Sequence, residues 1–405
     1  MRLVFIHQNL PGQFRHMARA LAAQGGYDMV FIGTRTDRQI PGARVMPYRL
    51  HRTVTKGIHP YLVRAENAVL HGQGAARQLV TLRDGGFRPD LIIAHSGWGE
   101  ALFIKDVFPS VPLLIYSEFY YTARGTDVGF EAPEALTLDA AARTRMRATH
   151  ILQSLVACDR ALTPTAWQKS VHPPLFHPRI DVIHEGVDTG VMTPDPTATV
   201  TLGDGMTLRA QDEVITYVAR NLEPYRGFHI VMRALPAILE ARPAARVVIV
   251  GGDDVSYGQA PGDGRTWRET LLSEVPLPAD RVIFTGQVPY DTFRRILQVS
   301  SVHVYLTYPF VLSWSMLEAM SCGCLVVGSD TPPVREVVTH GETGLLTSFH
   351  DPDALAAMVI DALARSAQLT PVRAAARHTI IDRYDRPTCL RQQLDLIGRM
   401  AQRAL

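Results

Sequence analysis

The chain has 405 residues, 46% hydrophobic and 20% charged, with a formal net charge of +2. That length predicts two or three domains at roughly 150 residues each. The composition excludes a disordered chain, and no apolar run approaches the roughly 18 residues needed to cross a bilayer. The near-neutral balance, with Lys56, Lys105 and Lys169 the only lysines, gives no steering toward nucleic acid. Cys158, Cys322, Cys324 and Cys389 fit no disulfide framework, and the spacing of Cys322-Gly323-Cys324 is not that of a zinc or thioredoxin site. They read as small buried hydrophobes.

Short apolar runs alternate with helical patterns, which predicts βα units and parallel sheets. The first half gives strands at Leu3–Ile6, Met29–Ile32, Leu91–Ala94, Pro112–Tyr116 and Arg160–Thr163. The first is too short for a signal-peptide core and reads as a buried strand, so a cytoplasmic location is expected. Phe14, Met17, Ala18 and Leu21 repeat on one helical face, and longer helices are expected near Tyr61–Leu82 and Leu136–Leu155. Residues Thr163–Gly203 hold six prolines around a short strand, Ile180–Ile183, and read as a domain connection. The second half gives strands at Val214–Val218, Val247–Val250, Val282–Phe284, Val302–Leu306 and Leu325–Val327. Helices are expected near Phe228–Leu239, Trp267–Glu274, Tyr290–Gln298 and Ser313–Ser321, then from Asp351 to a last stretch Arg386–Ala404. The fold class is α/β, two doubly wound domains facing across a cleft.

Two segments carry chemistry. Arg220-Asn221-Leu222-Glu223-Pro224-Tyr225-Arg226-Gly227 follows a strand and opens a helix. It therefore puts two guanidiniums at the carboxyl edge of a sheet, where such folds bind ligands. Two fixed forks suit a diphosphate. Farther on, Ser313 stands where an N-cap belongs, ahead of Trp314, Ser315 and Glu318. A helix start there favours a phosphate or a sugar oxygen. Leu317, Ala319 and Met320 read as buried, so Glu318 among them needs a partner.

Arg-x-x-x-Pro-x-Arg-Gly, then Leu317-Glu318-Ala319-Met320, Glu336-Val337-Val338 and Gly341-x-x-Gly344-Leu345-Leu346, resemble the retaining nucleotide-sugar glycosyltransferases of family 4. The likeness is strongest over about Val214–Asp353. It implies the GT-B fold of two Rossmann-like domains: 1–190 on the acceptor side, 205–385 for the nucleotide sugar, and a C-terminal helix 386–405 returning to the first. It implies Arg220 and Arg226 on the donor diphosphate, Glu318 on the ribose, and Val288 in Gly286-Gln287-Val288 at the base. Ser313, Trp314 and Ser315 fall beside the donor, and Gly12 in Asn9-Leu10-Pro11-Gly12-Gln13 matches the loop that closes on its phosphate. A simple βα turn is the other reading of that loop. Asn9, Gln13 and Tyr120 then border the acceptor. Asp188 matches the family's linker motif, with Glu185 where asparagine is usual. The linker and last helix would act as a hinge.

Two departures stand out. The family's first glutamate, eight positions before Glu318, is Phe310 here, so donor-sugar recognition is either rebuilt through Ser313, Ser315 and backbone amides, or the sugar sits differently. Where the family carries a histidine after the strand ending near Ile115, this chain has Ser117-Glu118-Phe119-Tyr120-Tyr121. Glu118 either orients or deprotonates the acceptor nucleophile, with the aromatics as a platform, or pairs an arginine such as Arg124. His95, at a strand end, is either catalytic or structural. Asp253-Asp254 reads as capping or solvated, and no metal is expected.

The resemblance thus implies transfer of a sugar from a nucleotide diphosphate, UDP slightly favoured over GDP, to an acceptor hydroxyl with retention. No cofactor beyond that co-substrate is implied. The acceptor is open among glycan, lipid-linked and protein classes, with peripheral contact on the inner membrane face as one alternative, for which Arg143-x-Arg145-x-Arg147 is the candidate patch. The competing functions are a non-catalytic binding relative, favoured by Phe310, and another GT-B activity such as a nucleotide-sugar epimerase.

Overall fold

A computed structural model describes residues 1–203 and 205–402. The chain folds as two compact units: Met1–Glu185 with the segment from Pro387 onward, and Gly186–Arg386.

The first unit is built on β1 (Arg2–Ile6), β2 (Asp28–Gly33), β3 (Ala43–Pro47), β4 (Leu91–His95), β5 (Leu113–Tyr116), β6 (Arg160–Thr163) and β7 (Ile180–Val182). They form one parallel sheet in the order β3-β2-β1-β4-β5-β6-β7. The strand alternation sends Val4, Ile6, Ile92, Ala94, Leu113 and Ile115 to one core, with Leu79 and Leu155 from flanking helices. Leu3, Phe5, Leu91, Ile93, Leu114 and Tyr116 go to the other, with Phe14, Met17 and Leu21. Both faces are thus apolar, as a parallel sheet covered on both sides requires. The last helix, Arg386–Gln402, supplies Leu396, Ile397 and Met400 to that second core; Ala404, the end of the expected stretch, lies outside the described residues. β1 lies between β2 and β4, so the strand order reverses there, and the carboxyl ends beside that reversal are the ligand-binding edge.

The second unit opens with an antiparallel hairpin, β8 (Thr199–Leu202) and β9 (Met206–Arg209). Its sheet comprises β10 (Val214–Asn221), β11 (Arg246–Gly252), β12 (Val282–Gly286), β13 (Val302–Tyr305), β14 (Leu325–Ser329) and β15 (Leu345–Thr347), in the order β12-β11-β10-β13-β14-β15. Here the order reverses between β10 and β13, so the loops after Asn221 and Tyr305 share one edge. Where the chain enters and leaves this unit its two segments are laced together. Val187 pairs with Asp385 in a parallel bridge, and Arg386 Nη1 donates to Asp188 Oδ2 at 2.8 Å.

The eleven strands expected from apolar runs are all present. β3, the hairpin β8–β9 and β15 were not expected. β3 is a half-buried edge strand ending in Pro47, tolerated at an edge because its missing N–H breaks no inner ladder. The helix expected over Leu136–Leu155 is two, Leu138–Arg147 and Thr149–Ala157. They are separated at Ala148, whose ψ of −6° tightens the turn. All four cysteines are free and buried, and burial pushes the Cys158 thiol up to about 11.

Candidate functional site

In the second unit the turn after β10 brings Arg220 and Arg226 to the carboxyl edge, but in different states. Arg220 is exposed. Arg226 is buried, and its Nη1 donates to Tyr305 Oη at 3.1 Å, Thr307 Oγ1 at 2.7 Å and the Val311 carbonyl at 3.0 Å. The two open forks expected from the spacing are therefore one open fork and one buried cation held by neutral acceptors. The reason is local. Gly227 takes φ +69°, turning the backbone so that the Arg226 side chain lies under the loop after β13. A Cβ on Gly227 would lie 2.4 Å from Leu306 Cβ, so no larger residue fits that turn.

Glu223, inside the same motif, had no expected role. It is fully buried and accepts the backbone N–H groups of Ser256, Tyr257 and Gly258, the last at 2.8 Å. It thereby fixes the loop after β11 beside the arginines, as a buried carboxylate must if it is to be compensated. Asp253 in that loop pairs with Arg268 at 2.7 Å.

The loop from Thr307 to Ser313 leads into the helix Trp314–Ser321, which Ser313 caps by accepting the Ser315 N–H. Ser313 Oγ also lies 2.9 Å from Ser315 Oγ, and Trp314 is exposed. Leu317, Ala319 and Met320 are buried as expected. The partner that Glu318 requires is Tyr290, whose hydroxyl donates to Glu318 Oε1 at 2.8 Å. Burial raises the Glu318 pKa against the opposing effects of Tyr290 and Arg386. Val288 is half-buried, two residues beyond β12. Phe310, in the place of the missing glutamate, is buried against Tyr225 (centroids 5.2 Å) and Tyr257 (5.1 Å), and Tyr225 stacks on Tyr308 at 4.6 Å. An aromatic cluster thus occupies the ground a carboxylate would hold.

In the first unit the edge beside the β1/β4 reversal gathers residues from three turns. Gln13 Nε2 donates to Glu118 Oε1 at 2.9 Å, and Glu118 Oε2 lies 3.8 Å from His95 Nε2. Glu118 therefore faces Gln13 and His95. Its side chain is 30% exposed. Burial alone would raise its pKa, but His95 and Gln13 bring it below the usual carboxylate value. His95 is stacked between Trp98 (4.4 Å) and Tyr116 (5.3 Å). Asn9 is exposed. Gly12 has φ +54°, and a Cβ on it would lie 2.2 Å from the His7 ring, so the need for glycine there is met within this unit.

The aromatic platform expected after Glu118 is largely engaged in packing. Phe119 is buried near Tyr121 and Trp167, and the Arg147 guanidinium lies 3.6 Å from the Tyr121 ring centre. Tyr120 is half-buried against the first core. Sequence reasoning missed His7, Glu223 and Tyr290. Glu223 was readable only in that it sits between Leu222 and Pro224, where a solvated carboxylate is out of place; the other two depend on residues far away in sequence.

Two Rossmann-like units, each with its polar constellation at the carboxyl edge of a parallel sheet, define the GT-B fold. Solved structures share it along the whole chain. Sucrose-phosphate synthase from Thermosynechococcus elongatus superposes with a TM-score of 0.74 at 18% identity, covering 99% of both chains. Anabaena HepE in complex with UDP-glucose gives 0.70 at 16% identity, covering 98% of this chain and 100% of that one. Identity this low shows the fold alone. In sequence, the glycosyl transferase family 4 group model matches residues 25–192 and the glycosyl transferases group 1 model matches residues 206–379. The chain belongs to the family-4-like glycosyltransferases. A curated relative, D-inositol 3-phosphate glycosyltransferase of Mycobacterium ulcerans, is 31% identical over 214 residues, 52% of this chain and 43% of that protein. The match spans under half of that relative's length.

Proposed function

We propose that the protein transfers a hexosyl group from a nucleotide-diphosphate sugar to an acceptor hydroxyl, with retention of anomeric configuration and without a metal ion. The observation that carries this reading is the exposed Arg220 beside the buried Arg226, at one sheet edge with the capped helix Trp314–Ser321. Charge accumulates on the departing diphosphate in an oxocarbenium-like transition state, and fixed donors aimed there lower the barrier. Arg220 would contact the phosphates directly. Arg226, held by neutral groups, would add positive potential behind them, and the amides after Ser313 would complete the cradle.

Glu318 would accept ribose hydroxyls beside Tyr290, and the backbone near Val288 would meet the base. UDP is favoured, since HepE is a fold neighbour described with UDP-glucose. Glu118, with His95 and Gln13, would act on the acceptor side, with Asn9 and Tyr120 bordering it and Gly12 shaping the loop. Among the described residues no helix is long and apolar enough to cross a membrane.

Nucleotide diphosphate release from UDP-, GDP-, ADP- and dTDP-sugars in the presence of a chelator tests the proposal, with product anomers read by NMR. Turnover of one donor with retention is expected. Tight binding without turnover, even with mixed glycan acceptors, would favour a non-catalytic binding protein. Phe310 is the observation on that side, because its ring cannot accept a hydrogen bond from a sugar hydroxyl.

A further inference from the structure

His7, the first residue after β1, belongs to none of the motifs above, yet it is 1% exposed and sits under the acceptor-side cluster. Its Nδ1 accepts the Asn9 backbone N–H at 3.0 Å. A backbone amide can only donate, so the ring proton lies on Nε2. Nε2 meets Gln13 Oε1 at 2.6 Å, which fixes the amide of Gln13 with its nitrogen toward Glu118. Gln13 Nε2 then donates to Glu118 Oε1 at 2.9 Å. The relay runs one way, from a backbone N–H to a carboxylate, and its far end must be an acceptor.

The other carboxylate oxygen is treated differently. Gly97 N–H donates to His95 Nδ1 at 3.0 Å, so His95 also carries its proton on Nε2. His95 is 2% exposed, its Nε2 makes no hydrogen bond, and Glu118 Oε2 lies 3.8 Å from it. A buried, unpartnered donor and a partly exposed carboxylate thus stand side by side, too far apart to bond to each other. A hydroxyl donating to Oε2 would lie next to that unmet donor.

We propose that His7 is a positioning residue: through Gln13 it holds the Glu118 carboxylate ionised, with Oε1 occupied and Oε2 presented beside His95 Nε2 to orient an acceptor hydroxyl. This rests on the glycosyltransferase reading for the hydroxyl, but not for the relay. Gly12 belongs to the same device, since any side chain there would strike the His7 imidazole. The titratable groups bearing on Glu118 are His95 from the end of β4 and His7 from the β1 turn. Burial holds His7 itself down to about 3, so its neutral tautomer persists over the whole working range.

The test titrates Glu118 by carbon-13 NMR of carboxyl-labelled full-length protein, its signal assigned by its loss in Glu118→Gln. His7→Leu removes the donor to Gln13, and the Glu118 pKa should rise by roughly one unit or more. His7→Gln, which can still offer an N–H toward Gln13, should restore most of it. Gln13→Leu should reproduce the rise and serves as the readout if His7→Leu does not fold. A Glu118 pKa that stays put in both leucine variants overturns the proposal. With the donor identified by the panel above, His7→Leu should lower kcat about tenfold and move its acidic limb to higher pH, leaving KM for the donor unchanged. An unchanged kcat profile alongside a raised Glu118 pKa would also overturn the positioning role. Absence of any donor turnover would instead count against the transferase reading, with the titration still deciding the relay.

Discussion

Arg226 Nη1 donates to Thr307 Oγ1 across 2.7 Å, tying the turn after β10 to the loop after β13. The two arginines of one motif should therefore fail in different ways. Arg220→Ala removes an exposed fork: the unfolding midpoint should barely move, while kcat falls on the order of ten- to a hundredfold, as expected for a charge-assisted contact worth roughly 1.5–3 kcal/mol. Arg226→Ala leaves Tyr305, Thr307 and Val311 with lost partners, so thermal stability should fall with activity. Equal stability losses in both variants, read by calorimetry, would contradict the division of roles.

The Glu318 carboxyl is raised by burial, so its charged form, the better acceptor for ribose hydroxyls, is lost at a higher pH than for an ordinary glutamate. Affinity for UDP should weaken as pH falls through that raised pKa. Tyr290→Phe removes a donor to Glu318 Oε1, so the weakening should begin at still higher pH. Glu318→Gln should bind about tenfold more weakly at neutral pH and lose this step. Calorimetric titrations with UDP between pH 5 and 8 would read all three, the phosphate's own ionisation being common to each.

Gly227 combines φ +69° with the 2.4 Å approach a Cβ would make to Leu306. Gly227→Ala should destabilise the second unit by about 2 kcal/mol or more. Gly264, also at positive φ but with nothing within 4 Å, should show only the smaller backbone cost. Urea unfolding of the two variants would separate space from strain.

Among the described residues six buried histidines have pKa values pushed down by desolvation: His71 and His150 in direction, His7 and His303 to about 3, His172 and His184 to about 4. Each is neutral when folded and protonates near 6.5 when unfolded. The unfolded state therefore takes up protons first as pH falls, and stability present above about 6.5 is lost toward the folded values. The slope is about 1.4 kcal/mol per pH unit for each such histidine. His303 Nδ1 lies 2.9 Å from Thr216 Oγ1, and His303→Asn, which can still meet that hydroxyl, should flatten the acid limb of the melting temperature between pH 6.5 and 4.5. An unchanged limb would place the acid sensitivity elsewhere.

Much of this was legible in the residues. The alternation of short apolar runs with helical periods determined two parallel sheets, because only strands covered on both faces read as continuous hydrophobic runs. The spacing from Arg220 to Gly227 and the Ser313–Glu318 stretch located one polar edge, because turn and cap chemistry is local. Edge elements such as β3 and β15 escaped, since half-burial and short length weaken the apolar signal.

What each charged side chain does was decided only by tertiary structure. Arg220 and Arg226 are chemically identical and six positions apart, yet the turn at Gly227 leaves one at the surface and seals the other beneath Thr307. Glu118 finds Gln13 across 105 positions of sequence, and Glu318 finds Tyr290 across 28. Sequence periodicity reports which face of an element is apolar, whereas hydrogen-bond partners and desolvation depend on which turns the strand order brings to the same edge.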